Sequence, residues 1–198
     1  GGTQWGAFGF RTGLAYTWSD IDTQRSVFFP GFADTLSASY DAGTFQAFGE
    51  LGYAIETEAA RLEPFFNLAH VSVRTDGFAE TGGAAALTTA RSTTDTTFTT
   101  LGVRATTDLM LGEAQATARG AIGWQHAFGD TTPLSTNAFA GGSAFSIAGA
   151  PIARDAAVVE LGIDFAITPR ATLGISYDGK FGSGTQDHGG RVGLNVRF

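Results

Sequence analysis

The chain has 198 residues, of which 43% are apolar and only 16% charged, with a net charge of −7. That apolar content excludes wholesale disorder, and the acidic balance argues against a nucleic-acid partner, which would want a basic face. Zero cysteines exclude a disulfide scaffold and a thiolate metal site, though they do not place the chain in the cytosol.

The most apolar continuous piece, AFSIAGAPIA, is short and contains a proline, so no helix of membrane-spanning length is expected. The opening GGTQWGAFGF lacks the features of a secretory leader and starts inside patterned sequence, the expectation for a mature chain or an excised piece.

Helical periodicity is absent, and about eight segments alternate with period two. In GAFGFRTGLAYTW, Phe8, Phe10, Leu14, Tyr16 and Trp18 share one face and Arg11 the other. FQAFGELGY sets Phe45, Ala47, Leu51 and Tyr53 against Gln46 and Glu50. RLEPFFNLAH sets Leu62, Phe66 and Leu68 against Arg61, Glu63 and Asn67, with a Pro64 that would be awkward in a soluble central strand. TFTTLGVRA opposes Leu101 and Val103 to Arg104. QATARGAIGWQHAF opposes Ile122, Trp124 and Phe128 to Arg119 and Gln125. VVELGIDFAI opposes Val159, Leu161, Ile163, Phe165 and Ile167 to Glu160 and Asp164. TLGISYDGKF opposes Leu173, Ile175, Tyr177 and Phe181 to Asp178 and Lys180. The final RVGLNVRF alternates Arg191, Gly193, Asn195 and Arg197 with Val192, Leu194, Val196 and Phe198.

One face of nearly every segment is thus aliphatic in the middle and aromatic towards an end. A soluble sandwich has no reason to collect aromatics at strand ends. An outer-membrane barrel does, with apolar residues facing lipid, polar residues facing a wet lumen and aromatic girdles at the interfaces. The fold expected is therefore all-β, an antiparallel up-and-down transmembrane β-barrel. Arg11, Glu50, Arg61, Glu63, Arg104, Arg119, Glu160, Asp164, Asp178, Lys180, Arg191 and Arg197 would line the lumen. Tyr16, Trp18, Tyr53, Trp124, Phe128, Tyr177 and Phe181 would sit at the interfaces.

The gaps between segments alternate in length. Residues 19–44, 75–95 and 129–157 read as long loops, and AIETEAA, TDLMLGEA and TPRA as short turns. Long outer loops and short periplasmic turns predict that rhythm. The last loop, GSGTQDHGG, then falls on the outer side, so the final strand runs inward and Phe198 ends at the periplasmic rim.

In order along nearly the whole chain, VFFPGF, YDAGTFQAFGELGY, RLEPFFNLAHV, TTLGVRA, GWQHAFGD, AGAPIARDAAVVELGIDF and ATLGISYDGKFGSGTQDHGGRVGLNVRF resemble the C-terminal translocator domain of autotransporters, the type V secretion systems of Gram-negative outer membranes. That resemblance implies a barrel of roughly twelve strands, of which residues 1–198 would be the C-terminal part, without upstream strands, linker helix or passenger. It implies a monomeric, non-enzymatic domain that anchors and exports its own passenger. The partners it implies are outer-membrane lipid, the barrel assembly machinery, and the passenger with its linker helix. Val192, Leu194, Val196 and Phe198 resemble the signal that the assembly machinery reads.

Other chemistry is weakly indicated. Ser183, Asp187 and His188 are neighbours in a glycine-rich loop, but proximity in sequence is not triad geometry. His126, beside Trp124 and Phe128, and His70, after Leu68, read as interface residues. No metal-ligand spacing such as HExxH occurs, and no cofactor, metal or catalytic residue is expected. Two other functions stay open: a complete small barrel with a structural or adhesive role through its long loops, and an outer-membrane enzyme with its site among those loops.

Overall fold

The computed structural model describes residues 1–112 and 114–196. Among these every regular element is a β-strand. They are β1 (Gly2–Trp5), β2 (Phe8–Phe29), β3 (Phe32–Tyr53), β4 (Ile55–Glu56), β5 (Arg61–Thr75), β6 (Phe78–Ala79), β7 (Leu87–Thr89), β8 (Ser92–Leu111), β9 (Ala114–Gly129), β10 (Leu134–Phe139), β11 (Phe145–Ala148), β12 (Asp155–Thr168), β13 (Ala171–Gly182) and β14 (Thr185–Val196). The main sheet runs β1-β2-β3-β5-β8-β9-β12-β13-β14, with β4 paired to β5. All its ladders are antiparallel between sequence neighbours. A second sheet, β11-β10-β7-β6, is built from residues between the long strands.

The main sheet curls. Lys180 on β13 brings Nζ to 5.1 Å from the centroid of Phe98 on β8, although β9 and β12 stand between them. Three strand spacings are about 14 Å along a flat sheet, more than these two side chains can bridge while standing upright. The face bearing Phe98 and Lys180 is therefore concave. The curl does not close among the described residues: β1 ends one edge of the sheet and β14 the other.

Alternation decides what each face carries, because successive side chains point to opposite sides. The residues expected to face lipid are on the convex side and are exposed: Leu14 and Trp18 are each 78% accessible, and Ile122, Leu161, Val192 and Leu194 are also open. Among the described residues only Leu36 is both large and fully buried. A chain with 43% apolar residues that buries so few of them places its apolar area outside, as a lipid-facing barrel does.

The length of the strands departs from the sequence reading. Residues 19–44, read as a long loop, continue the β2–β3 ladder without a register break to Phe29↔Phe32. Only Pro30 and Gly31 turn the chain. Proline presets φ at the first central position and Gly31 takes φ +86° at the second, the pattern of a type II turn. About ten tilted residues cross the hydrocarbon layer, so each 22-residue strand runs on well past it. The last loop is also shorter than expected. GSGTQDHGG is mostly strand, with the turn at Ser183 and Gly184, the latter at φ +74°. Pro64 sits where the β3–β5 ladder ends at Gly52↔Phe65, before β4 resumes the pairing at Ile55↔Leu62. A residue without an N–H is tolerated at such a break.

Candidate pore-lining surface

The concave face carries the charged residues, and β2 to β8 gather four of them. Register sets Arg11 opposite Glu50, Glu50 opposite Asn67 and Glu63 opposite Arg104. Arg11 Nη1 donates to Glu50 Oε1 at 2.8 Å and to Glu63 Oε1 at 2.6 Å. Arg104 donates to both oxygens of Glu50 at 2.7 Å and to Glu63 Oε1 at 3.2 Å. Its guanidinium also lies 3.9 Å over the ring of Phe65, a cation–π contact. Two carboxylates held between two forked cations satisfy one another, the geometry in which such bonds are strongest. Glu50 is nearly buried within this cluster. Arg61 stands at its margin, 3.5 Å from Glu56 and 3.9 Å from Glu63.

The other half of the concave face is looser. Arg119 pairs with Asp164 at 2.7 Å. Glu160 and Asp178 lie directly opposite each other across β12 and β13. Among the described residues neither has an ion-pair partner, nor does Arg191. These three, with Arg104 and Arg119, line a cavity of about 530 Å³. Like charges in direct register disfavour the pairing, so water or a visiting cation is the natural counterpart of the two carboxylates.

The histidines carry no triad. Asp187 and His188 are in β14, not in a loop, opposite Lys180 and Gly179. Being consecutive in a strand they point to opposite faces, and His188 meets Tyr177 instead. His126 donates from Nδ1 to Asp155 Oδ1 at 2.7 Å, and Trp124 Nε1 donates to the same oxygen at 3.1 Å. This group stands on the convex side with Phe128, whose ring meets His126 edge-on. His70 Nδ1 lies 3.0 Å from Thr97 Oγ1. Among the described residues no three potential metal ligands come together.

Of the expected interface residues, Tyr16, Trp18, Tyr53, Trp124, Phe128 and Phe181 are exposed, with Phe8–Tyr53 and Tyr16–Trp18 in ring contact. Val192, Leu194 and Val196 are exposed on β14, which among the described residues pairs with β13 alone. Arg197 and Phe198 lie outside the described residues. Sequence reasoning missed Arg25, Asp34 and Glu80, which join three segments at the outer end. Arg25 donates to both oxygens of Glu80 and, at 2.9 Å, to the Ala85 carbonyl. Asp34 accepts from the Ala85 amide at 2.9 Å. The available signal was parity: Arg25 is an even number of residues from Arg11 in one unbroken strand.

A model of the autotransporter beta-domain family matches residues 1–178. Two proteins of Serratia marcescens, each called an extracellular serine protease, are similar to the whole chain, at 38% and 37% identity. The chain spans 19% of the length of each, and the matched part is the β-domain, which is not a catalytic domain. The two-faced curled sheet and these similarities agree: the chain belongs to the autotransporter β-domain family, the translocator domains of type V secretion in the Gram-negative outer membrane.

Proposed function

We propose that this chain forms the wall of a hydrated passage that anchors and exports a passenger joined to its N-terminal side. The carrying observation is the division of the sheet: apolar residues cover the convex face, while the concave face holds charges of both signs. Arg11, Glu50, Arg61, Glu63, Arg104, Arg119, Glu160, Asp164, Asp178, Lys180 and Arg191 are its lumen wall. Charges of both signs that pair among themselves or with water keep such a wall wet and weakly attractive, so an unfolded chain slides without sticking. Strands upstream of residue 1 would close the barrel, and a linker helix would lie in it. The protein acts as a monomer and does no catalysis; any proteolytic activity belongs to the passenger.

The test is made in the full-length precursor. Removing residues 1–198 leaves the passenger in the periplasm; a passenger still displayed on the cell surface would overturn the proposal. Val192, Leu194, Val196 and Phe198 serve recognition by the assembly machinery. The free edge of β14 suits strand addition before closure. Deleting RVGLNVRF should abolish display, and normal display would sink that assignment.

A further inference from the structure

The residues buried at the outer end of the sheet identify a second device. In a wet open barrel the concave face should be accessible. Yet Leu36 is 0% and Ala38 8% exposed on β3, and Thr96, Ala127 and Ala156 are buried on β8, β9 and β12. By strand parity all five point to the concave side, the same side as Glu50, Arg104, Arg119 and Glu160. Something lies over them from within.

It is the two connecting segments. Residues 76–91 run up the free edge of β3, where Asp76 donates to Asp41 and Ser37 and Thr81 exchange both backbone hydrogen bonds at 2.9 Å. They then turn over the concave side: Phe78 stacks on Tyr40 at 4.1 Å, and Arg25 grips Glu80 and the Ala85 carbonyl. Residues 130–154 fold the same way from the far side. Asp130 binds β8 through Asp95 and Thr96, and Arg154 accepts from the Ala127 amide. The segments meet in the second sheet, where β7 pairs with β10 and buried Asn137 accepts from Thr89 Oγ1 at 2.8 Å. A strut of four short strands therefore joins β3 to β9 and β12 across the curl instead of around it.

We propose that residues 76–91 and 130–154 form a lid across the outer mouth of the passage, latched to the β2–β3 hairpin by Arg25 and Glu80, displaced while a chain passes and closed afterwards. This rests on the translocator reading above. The lid's hold on the sheet is local: one ion pair, a few side-chain contacts and scattered backbone hydrogen bonds at Asp41, Ser37, Asp95 and Ala127 rather than a continuous ladder. Segments of that kind open at far lower cost than the ladders beneath them. Closing over the mouth after export would add an outer barrier to whatever space the linker helix leaves open in the lumen.

Two measurements on the full-length precursor test it. In cells displaying passenger, Arg25→Ala and Glu80→Gln should each admit a bulky antibiotic that the outer membrane normally excludes. Heat-modifiable migration of the barrel establishes that the variants fold. Unchanged entry in both folded variants overturns closure by the lid. In the second, Ser37→Cys and Thr81→Cys are combined. A residue pair exchanging both bonds has Cα atoms about 5.5 Å apart, within disulfide range, and this chain has no other thiol. With the crosslink formed, as read by a gel shift, surface passenger should fall several-fold and return when reductant is added. Display unaffected by a formed crosslink overturns the need for displacement. The parent precursor is the control: if it fails to display passenger, the translocator reading fails, whereas normal parental display with insensitive variants removes the lid alone.

Discussion

The two halves of the concave face solve opposite problems. Between β2 and β8, Arg11, Glu50, Glu63 and Arg104 consume one another's hydrogen-bonding capacity, and Phe65 backs the cluster. Between β9 and β14, one pair forms at Arg119 and Asp164, and Glu160, Asp178 and Arg191 are left to solvent. The lesson is that similar residue types become a rigid strut when register places opposite charges in line and a wet surface when it places like charges in line. The first half ties β2, β3, β5 and β8 together through side chains; the second leaves its charges open to solvent.

The comparison breaks most sharply at Glu50. Glu50→Ala leaves Arg11 and Arg104 with Glu63 as the carboxylate they still share, and losing the more buried of the two bridging carboxylates costs about 3 kcal/mol. The midpoint of heat-modifiable unfolding of the barrel should fall clearly; a midpoint within error of the parent would show the cluster to be ornamental. Next in size is a test of the convex face. Ile122→Arg puts a charge on the exposed convex side and should cost about 2–4 kcal/mol where that side meets the hydrocarbon midplane, read as lost assembly in the outer membrane. Ser176→Arg, on the other face where the side chain lines the open cavity, should do much less.

A smaller effect concerns the outer end. Arg25 donates hydrogen bonds to the Glu80 carboxyl and holds it below its usual value, against the opposing effect of burial and with help from the Leu87 amide. A lowered carboxylate favours the folded loop above the ordinary glutamate range and loses that contribution as pH falls through the depressed value. The charged groups meeting it are Arg25 and, across Ala85, Asp34. Protease nicking within residues 76–91 should therefore rise below about pH 4 and stay low at pH 7. Glu80→Gln should nick readily at both. The smallest effect is on the open half: Asp178→Asn relieves a like-charge register and should stabilise by about 0.5 kcal/mol, with passenger display unchanged. A loss of stability there would mean that Asp178 has a partner the present geometry does not contain.

Which face of the sheet each side chain takes was legible beforehand because a strand's period is an integer. Once Leu101 and Val103 are set outward, Arg104 must face inward, and Glu160 and Asp164 follow from Leu161 and Ile163 by the same rule. Loop length was not legible. Residues 19–29 alternate without a clear apolar face, since both sides of a hairpin beyond the membrane meet water or a folded loop. Only the turn residues Pro30 and Gly31 marked where that ladder ends. His188 was misplaced for a related reason: glycines at 182, 184, 189 and 190 read as a loop, although the ladder to β13 runs through them.

Alternation by itself determined the class of fold, the face of each side chain and the environment that the apolar face requires. The tertiary structure alone decided who meets whom. Arg11 finds Glu63 across an intervening strand, and Arg25 finds Glu80 across 55 residues of chain, because register and curl set those distances. Local periodicity carries which way a side chain points. It carries nothing about how far one strand slides along the next, or which loops fold inward to meet.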